Sequence, residues 1–274
     1  MIAFTGNVGA GLARSTVVDI DARGVRTYYD ELGAGEPVVL LHGGGVTADS
    51  WLAQAPALAA QYRVLIPERR GHGRTPDVDG PVSMEIFAAD TAAFIEALEL
   101  GPVHVIGWSD GGKVGMSLAV SRPELVRKLV LIGTELTHAG GTAANQALLE
   151  PEGLEFLAGA FRPQYEPLSP DGPGHFDVVF AKWVQMWKTV PDVELAALKS
   201  LPLPVLLMQG DDDCVRIEHT AEMARAIPDA QVAVVPGSSH GLPLEKPEVV
   251  NRLLVGFLAD PQAPKFMPLG DLNS

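Results

Sequence analysis

The sequence predicts an α/β fold: a mostly parallel sheet covered by helices on both faces, with a helical segment inserted before the last two strands. Three observations carry this expectation. Short runs at residues 38–41, 64–66 and 129–132 are continuously apolar rather than alternating, the pattern of strands buried on both faces. They alternate with stretches of helical periodicity, and helical crossovers join parallel strands. The rhythm stops at about Leu136 and resumes after Ser200. The expected organisation is a core of residues 1–135 and 201–274, with a helical cap at 136–200.

In chain order, residues 1–14 are rich in Gly and Ala and read as a loosely held leader. Residues 16–20 and 25–29 read as a hairpin around Asp21-Ala22-Arg23-Gly24. The strand at 38–41 runs into His42-Gly43-Gly44-Gly45, then Trp51 and an alanine-rich helix to about Ala60. The strand at 64–66 leads to Glu68-Arg69-Arg70-Gly71-His72-Gly73-Arg74, and residues 84–100 have helical periodicity. A strand at 103–106, a helix at 112–120 and the strand at 129–132 follow. In the cap, helices are expected near 143–157 and 176–190, separated by Pro163, Pro167, Pro170 and Pro173. The sequence then reads as a strand at 205–209, a helix at 217–226, a strand at 232–235 and a helix at 247–258. The tail from Asp260 is irregular, and no internal repeat is present.

Composition bounds the function. One α/β domain with a modest insertion suits 274 residues, and 47% hydrophobic residues are ample for its core. A net charge of −14 argues against nucleic acid or an anionic membrane as partner. The single cysteine, Cys214, excludes an internal disulfide. With neither a signal-peptide pattern nor a long apolar span, a soluble cytoplasmic protein is expected.

The chemistry centres on Gly107-Trp108-Ser109-Asp110-Gly111. A Gly-x-Ser-x-Gly between a strand and a helix is a tight turn that exposes the serine hydroxyl at a helix N-terminus, so Ser109 reads as a nucleophile. The pattern recurs at Gly237-Ser238-Ser239-His240-Gly241, where Pro243 and Pro247 are expected to exclude an immediate helix and hence an elbow at Ser239. Gly107 to Lys113 also imitates a phosphate-binding loop, but Val114 replaces the Ser or Thr that would hold magnesium. No cofactor and no metal are expected.

A serine needs a base to take its proton and an acid to orient that base. His240, past the last strand, is the expected base, with His42 as its rival. The acid is expected in Asp211-Asp212-Asp213, with Asp213 favoured over Asp212. All three groups lie past the C-terminal ends of strands, where open α/β sheets place their sites. Glycines after His42 suit a loop that offers a backbone N–H to an oxyanion, and the expected donors are Gly44 and Asp110. Cys214 reads as a packed side chain. A stripe at Phe176, Val179, Phe180, Trp183, Trp187 and Val190 reads either as packing within the cap or as a pocket roof, with Trp183 and Trp187 expected at the substrate.

From about residue 15 to 259 these pieces resemble the α/β-hydrolase superfamily. The likeness rests on the motifs at 42–45, 69–74, 107–112 and 210–213, and on His240-Gly241 followed by Glu245-Lys246-Pro247-Glu248. A narrower likeness, carried by Gly107-Trp108-Ser109-Asp110-Gly111-Gly112 and Lys182-Trp183-Val184, is to the valacyclovir hydrolase-like (biphenyl hydrolase-like) branch. That branch implies a role for Asp110 in holding the α-amino group of an amino-acid ester; the loop at 42–45 is more similar to that of generic bacterial esterases. The resemblance implies a serine esterase acting on a small molecule. Lactone or C–C bond hydrolysis on the same triad, and a non-enzymatic ligand sensor, are the alternatives. Epoxide hydrolases and dehalogenases of this fold carry an Asp where Ser109 stands.

Overall fold

The computed structural model describes residues 15–190, 193 and 195–259. The expected leader and the tail from Asp260 lie outside them.

Strands β1 (Ser15–Ala22) and β2 (Val25–Leu32) form the expected hairpin, and β2 pairs antiparallel with β4 (Tyr62–Pro67). Between β2 and β4 run β3 (Glu36–Leu41) and the short α1 (Ala55–Ala59). Next come α2 (Met84–Ala97), β5 (Val103–Trp108), α3 (Asp110–Ser121) and β6 (Val126–Ile132). A helical insertion holds α4 (Ala143–Ala147), α5 (Pro151–Tyr165) and α6 (Phe176–Thr189). The chain returns through β7 (Val205–Asp212), α7 (Ile217–Ala226), β8 (Ala230–Ser239), α8 (Leu242–Glu245) and α9 (Pro247–Leu258). The sheet order is β1-β2-β4-β3-β5-β6-β7-β8, with every pair from β4 to β8 parallel.

The continuously apolar strands feed two cores, as their composition requires. Val39, Leu41, Val103, Val105, Leu129 and Leu131 face one, with α2 and α3. Val38, Leu40, Ile106, Val130 and Ile132 face the other, with α1 and α9.

Three expectations are corrected. Residues 143–157 do not form one helix: α4 ends at Ala147 and α5 starts anew at Pro151, whose missing N–H costs nothing in a first turn. Pro163, expected between helices, lies inside α5. The carbonyl it leaves without a partner belongs to Gly159, which is exposed to water. After β8 the prolines do not exclude a helix, because Pro243 sits in the first turn of α8 and Pro247 opens α9. Among the described residues, no helix is long and apolar enough to cross a membrane.

The insertion is fastened to the sheet side by polar and aromatic contacts. Asp77, in the loop after β4, accepts from Lys182 Nζ at 2.6 Å and lies 2.9 Å from His175 Nε2. Trp183 stacks on His72 with centroids 4.4 Å apart.

The tightest packing lies where β5 turns into α3. A Cβ on Gly107 would stand 2.3 Å from the Gly111 carbonyl oxygen, one on Gly111 2.0 Å from that of Leu41, and one on Gly112 1.9 Å from Thr134 Oγ1. Two of these obstacles are backbone, which cannot give way cheaply. Gly111→Ala is therefore expected to cost about 3 kcal/mol or more, at the top of the overpacking range, read as a lower urea midpoint or loss of soluble protein. Gly159→Ala, with nothing within 4 Å, is expected to gain up to about 1 kcal/mol of helix propensity. A Gly111→Ala protein as stable as the parent would contradict this close approach.

Candidate active site

Ser109 occupies φ 57°, ψ −120°, a conformation that L-residues avoid. Its surroundings hold it there. The Ser109 N–H donates to the Ile132 carbonyl at 2.8 Å, and its own carbonyl accepts from Gly112 N–H at 2.9 Å and Thr134 Oγ1 at 3.3 Å. Because α3 begins at Asp110, the N–H groups of Asp110 and Gly111 beside the serine come too early in the helix to find a carbonyl within it.

His240 follows β8, and Trp108 Nε1, next to the serine, donates to its backbone carbonyl at 2.9 Å. Its ring Nδ1 lies 2.8 Å from Asp213 Oδ1, which also accepts from Val215 N–H at 3.2 Å. The Asp213 side chain is 1% exposed, that of His240 33%. Burial works to lower the imidazole's pKa, yet the bond to Asp213 and the adjacent Cys214 outweigh it, so His240 sits well above its ordinary value. Burial likewise raises Asp213, but the same bond to His240 prevails and the carboxyl falls below its ordinary value. Asp211 and Asp212 are exposed, and Asp211 accepts from Ser238 N–H. Of the three aspartates, Asp213 is the one that meets the histidine.

His42 is fully buried with both ring nitrogens engaged: Nδ1 lies 2.8 Å from the Gly43 carbonyl, and Nε2 accepts from Arg69 N–H at 3.2 Å. Burial, then the nearby Arg69 charge, hold it well below its ordinary pKa. It is a fixed part of the loop. Ser239 Oγ donates to Glu245 at 2.6 Å, away from any elbow.

Ser109, His240, Gly43 and Gly44 line one cavity of about 290 Å³, walled by Phe161 and Trp187 of the insertion. The stripe on α6 divides: Trp187 reaches this cavity, whereas Trp183 does not line it. Trp183 is 1% exposed, packed among His72, Tyr165 and Phe176, so its place is under the insertion rather than at a substrate. Phe161 was hidden from sequence reading because it lies beyond the expected end of its helix.

The charges around the cavity are paired within the protein. Trp187 Nε1 donates to Asp110 Oδ2 at 2.6 Å. Lys113 Nζ bonds Glu135 at 2.6 Å; burial pulls the ammonium down, but Glu135 and then Asp110 hold it above its ordinary pKa. Arg69, missed by sequence reading, is buried behind the loop, with its guanidinium donating to the carbonyls of His42 and, at 2.8 Å, Gly43. Burial brings Arg69 down to about 10, with the Asp110 carboxylate opposing. Its partners lie 26 and 27 positions away, so the motif at 69–74 that contains it does not reveal this contact. A side chain on Gly44 would meet Asp110 Oδ2 at 2.4 Å and the Trp187 ring at 2.9 Å, which accounts for glycine there.

A family model described as Alpha/beta hydrolase family matches residues 38–253. A non-heme haloperoxidase of Rhodococcus erythropolis is 30% identical over 269 residues, spanning 86% of this chain and 96% of its own. The solved meta-cleavage product hydrolase of Pseudomonas fluorescens IP01 is similar at TM-score 0.76 and 27% identity, covering 89% of this chain and 97% of that one. A thermophilic esterase of Thermogutta terrifontis is similar at TM-score 0.67 and 26% identity, covering 90% and 98%.

The electrostatics of the His–Asp pair give a measurable sign. The Asp213 carboxylate holds the proton on His240 against burial, so Asp213→Asn is expected to lower the imidazole pKa. NMR titration of the His240 ring should place the parent above its ordinary value and the variant clearly below the parent. An unchanged titration would contradict the pairing.

Proposed function

The chain belongs to the α/β-hydrolase family, and from that premise we propose that it is a serine hydrolase of small carboxylic esters working through an acyl-enzyme. The observation that carries this reading is Ser109 in its strained turn, lining one cavity with a histidine that is already bonded to a buried aspartate. Ser109 Oγ attacks the ester carbonyl while His240 Nε2 takes the hydroxyl proton, and His240 returns that proton to the departing alcohol. Water then attacks the acyl-enzyme by the same route, releasing the acid and freeing Ser109. Asp213 keeps the proton on Nδ1, leaving Nε2 free to accept. The N–H groups of Asp110 and Gly44 hold the oxyanion.

The paired charges favour a neutral ester. In the valacyclovir hydrolase-like reading, the Asp110 carboxylate would hold a substrate ammonium. Here it already accepts from Trp187 Nε1 and faces the charges of Arg69 and Lys113. An ammonium would have to compete with all three. Trp187 and Phe161 are then apolar walls for the acyl or alcohol group, and residues 136–200 act as the cap that keeps water out. Lactones and C–C bonds beside a carbonyl are the competing substrates of the same triad.

Ser109→Ala is expected to reduce turnover of an activated ester by about 10⁶-fold; retained turnover would refute the nucleophile. Asp213→Asn should cost about 10⁴-fold through the wrong tautomer, while Asp212→Asn, an exposed change, should stay within a factor of a few. Since the base must be neutral, kcat/KM should rise with pH through a His240 pKa above the ordinary range, and Asp213→Asn should move that limb to lower pH. Des-amino esters should match or exceed the corresponding α-amino esters in kcat/KM. A strong preference for amino esters, lost in Asp110→Ala, would restore the ammonium-binding reading.

A further inference from the structure

Cys214 stands between the acid and the base and has no part in the proposed acyl transfer. Its Sγ lies 3.3 Å from His240 Nδ1. The sulfur, Nδ1 and a carboxylate oxygen of Asp213 all lie within 4.8 Å of one another. Two further observations concern Asp213. Its side chain is 1% exposed, yet Oδ2 has no hydrogen-bond partner among the described residues. Residue 133 is glycine, and the space its Cβ would fill is 2.9 Å from His240 Nδ1 and 3.0 Å from Asp213 Oδ2. A side chain at residue 133 would therefore crowd both Nδ1 and the orphaned oxygen, and glycine there leaves them uncovered. Cys214 is only half-buried and lines the cavity, so an ion has a route in.

We propose that Cys214 Sγ, His240 Nδ1 and a carboxylate oxygen of Asp213 form a binding site for a thiophilic divalent cation, zinc or cadmium, and that its occupation switches the hydrolase off. A thiolate, an imidazole nitrogen and a carboxylate oxygen are a donor set zinc accepts, at roughly 2.3, 2.0 and 2.0–2.2 Å. Magnesium and calcium, which take oxygen ligands, are rejected by the same set. Atoms bridged by such bonds stand about 3.3–3.6 Å apart, so the S–N distance of 3.3 Å already suits the cation, while the 2.8 Å between Nδ1 and Asp213 Oδ1 must open by about half an ångström as the cation replaces that hydrogen bond.

Inhibition follows from the tautomer. The cation forms bonds to Sγ and Nδ1; the thiol proton leaves to solvent, and the imidazole proton moves from Nδ1 to Nε2. No electron is transferred and no covalent bond to carbon changes. Nε2 then carries a hydrogen and cannot accept the one from Ser109. The binding half of the proposal stands without the triad reading; the inhibitory half rests on it.

The test uses the full chain and two readouts. Cadmium titrated into the apo-protein should produce an ultraviolet thiolate-to-metal band that saturates at one equivalent and is abolished by chelator. Zinc should abolish ester turnover reversibly, while magnesium should leave it intact. In Cys214→Ser the band should vanish, and the zinc concentration that halves the variant's own zinc-free rate should rise roughly tenfold or more, the scale of disturbing a metal site. X-ray absorption of the zinc-loaded parent should show one sulfur among nitrogen and oxygen ligands, an assay that needs no variant to fold. No band and no sulfur ligand would overturn the site. A band with undiminished turnover would keep the site but overturn the switch, and would count against His240 as the base.

Discussion

The close approach of β3, β5 and α3 at Gly107, Gly111 and Gly112 is the constraint on which the rest depends. No side chain fits between the helix backbone and the Leu41 carbonyl. That closeness forces the turn, and the turn forces Ser109 into a conformation costing on the order of 1–3 kcal/mol. The cost is sustained because both ends of the residue are held: Ile132 of β6 takes its N–H, and its carbonyl is fixed by Gly112 of α3 and by Thr134 just past β6. The helix start and the glycine loop after β3 arrive at the same place for the same reason.

The second layer of organisation is electrostatic. Arg69, Asp110, Lys113 and Glu135 surround a cavity with apolar walls, where an unpaired charge would be expensive. Most of their polar atoms are matched: Arg69, apart from its buried Nε, to loop carbonyls and the Asp110 field, Asp110 to the Trp187 indole, Lys113 to Glu135. Trp187 and Asp110 thus couple the insertion to the turn that carries the serine. Arg69, anchored to the carbonyls of His42 and Gly43, stiffens the loop whose Gly43 and Gly44 line the cavity. The polar groups fix geometry, and in the proposed reading the apolar walls recognise the substrate.

Much of this was legible in the sequence because the signals are local. The helices at 217–226 and 247–258 were bounded correctly, since apolar periodicity begins and ends sharply there. The strand-then-helix context marked Ser109 but did not exclude Ser239, since a turn of helix follows β8 as well and it is the bond of Ser239 to Glu245 that sets it apart; the order of Ser109, Asp213 and His240 followed from strand ends. What was not legible depended on distant partners or on exposure. Pro163 breaks no helix because water solvates the carbonyl it strands. Pro243 permits a turn of helix because it stands first in it. Trp183 and Trp187 share one periodic stripe, yet only the second reaches the cavity, a distinction set by His72 on another element. Arg69 stands in the motif at 69–74, but its role is not legible there because its work is done on carbonyls far away in sequence.

The central claim is that Ser109 is an activated nucleophile, held by the turn and driven by His240. Its most direct test is covalent: incubation of the native chain with a fluorophosphonate, followed by peptide mass spectrometry. One phosphonyl adduct per chain is expected, on Ser109, lost on heat unfolding before exposure to the probe. A native protein that stays unlabelled, or is labelled at Ser239 instead, would contradict it.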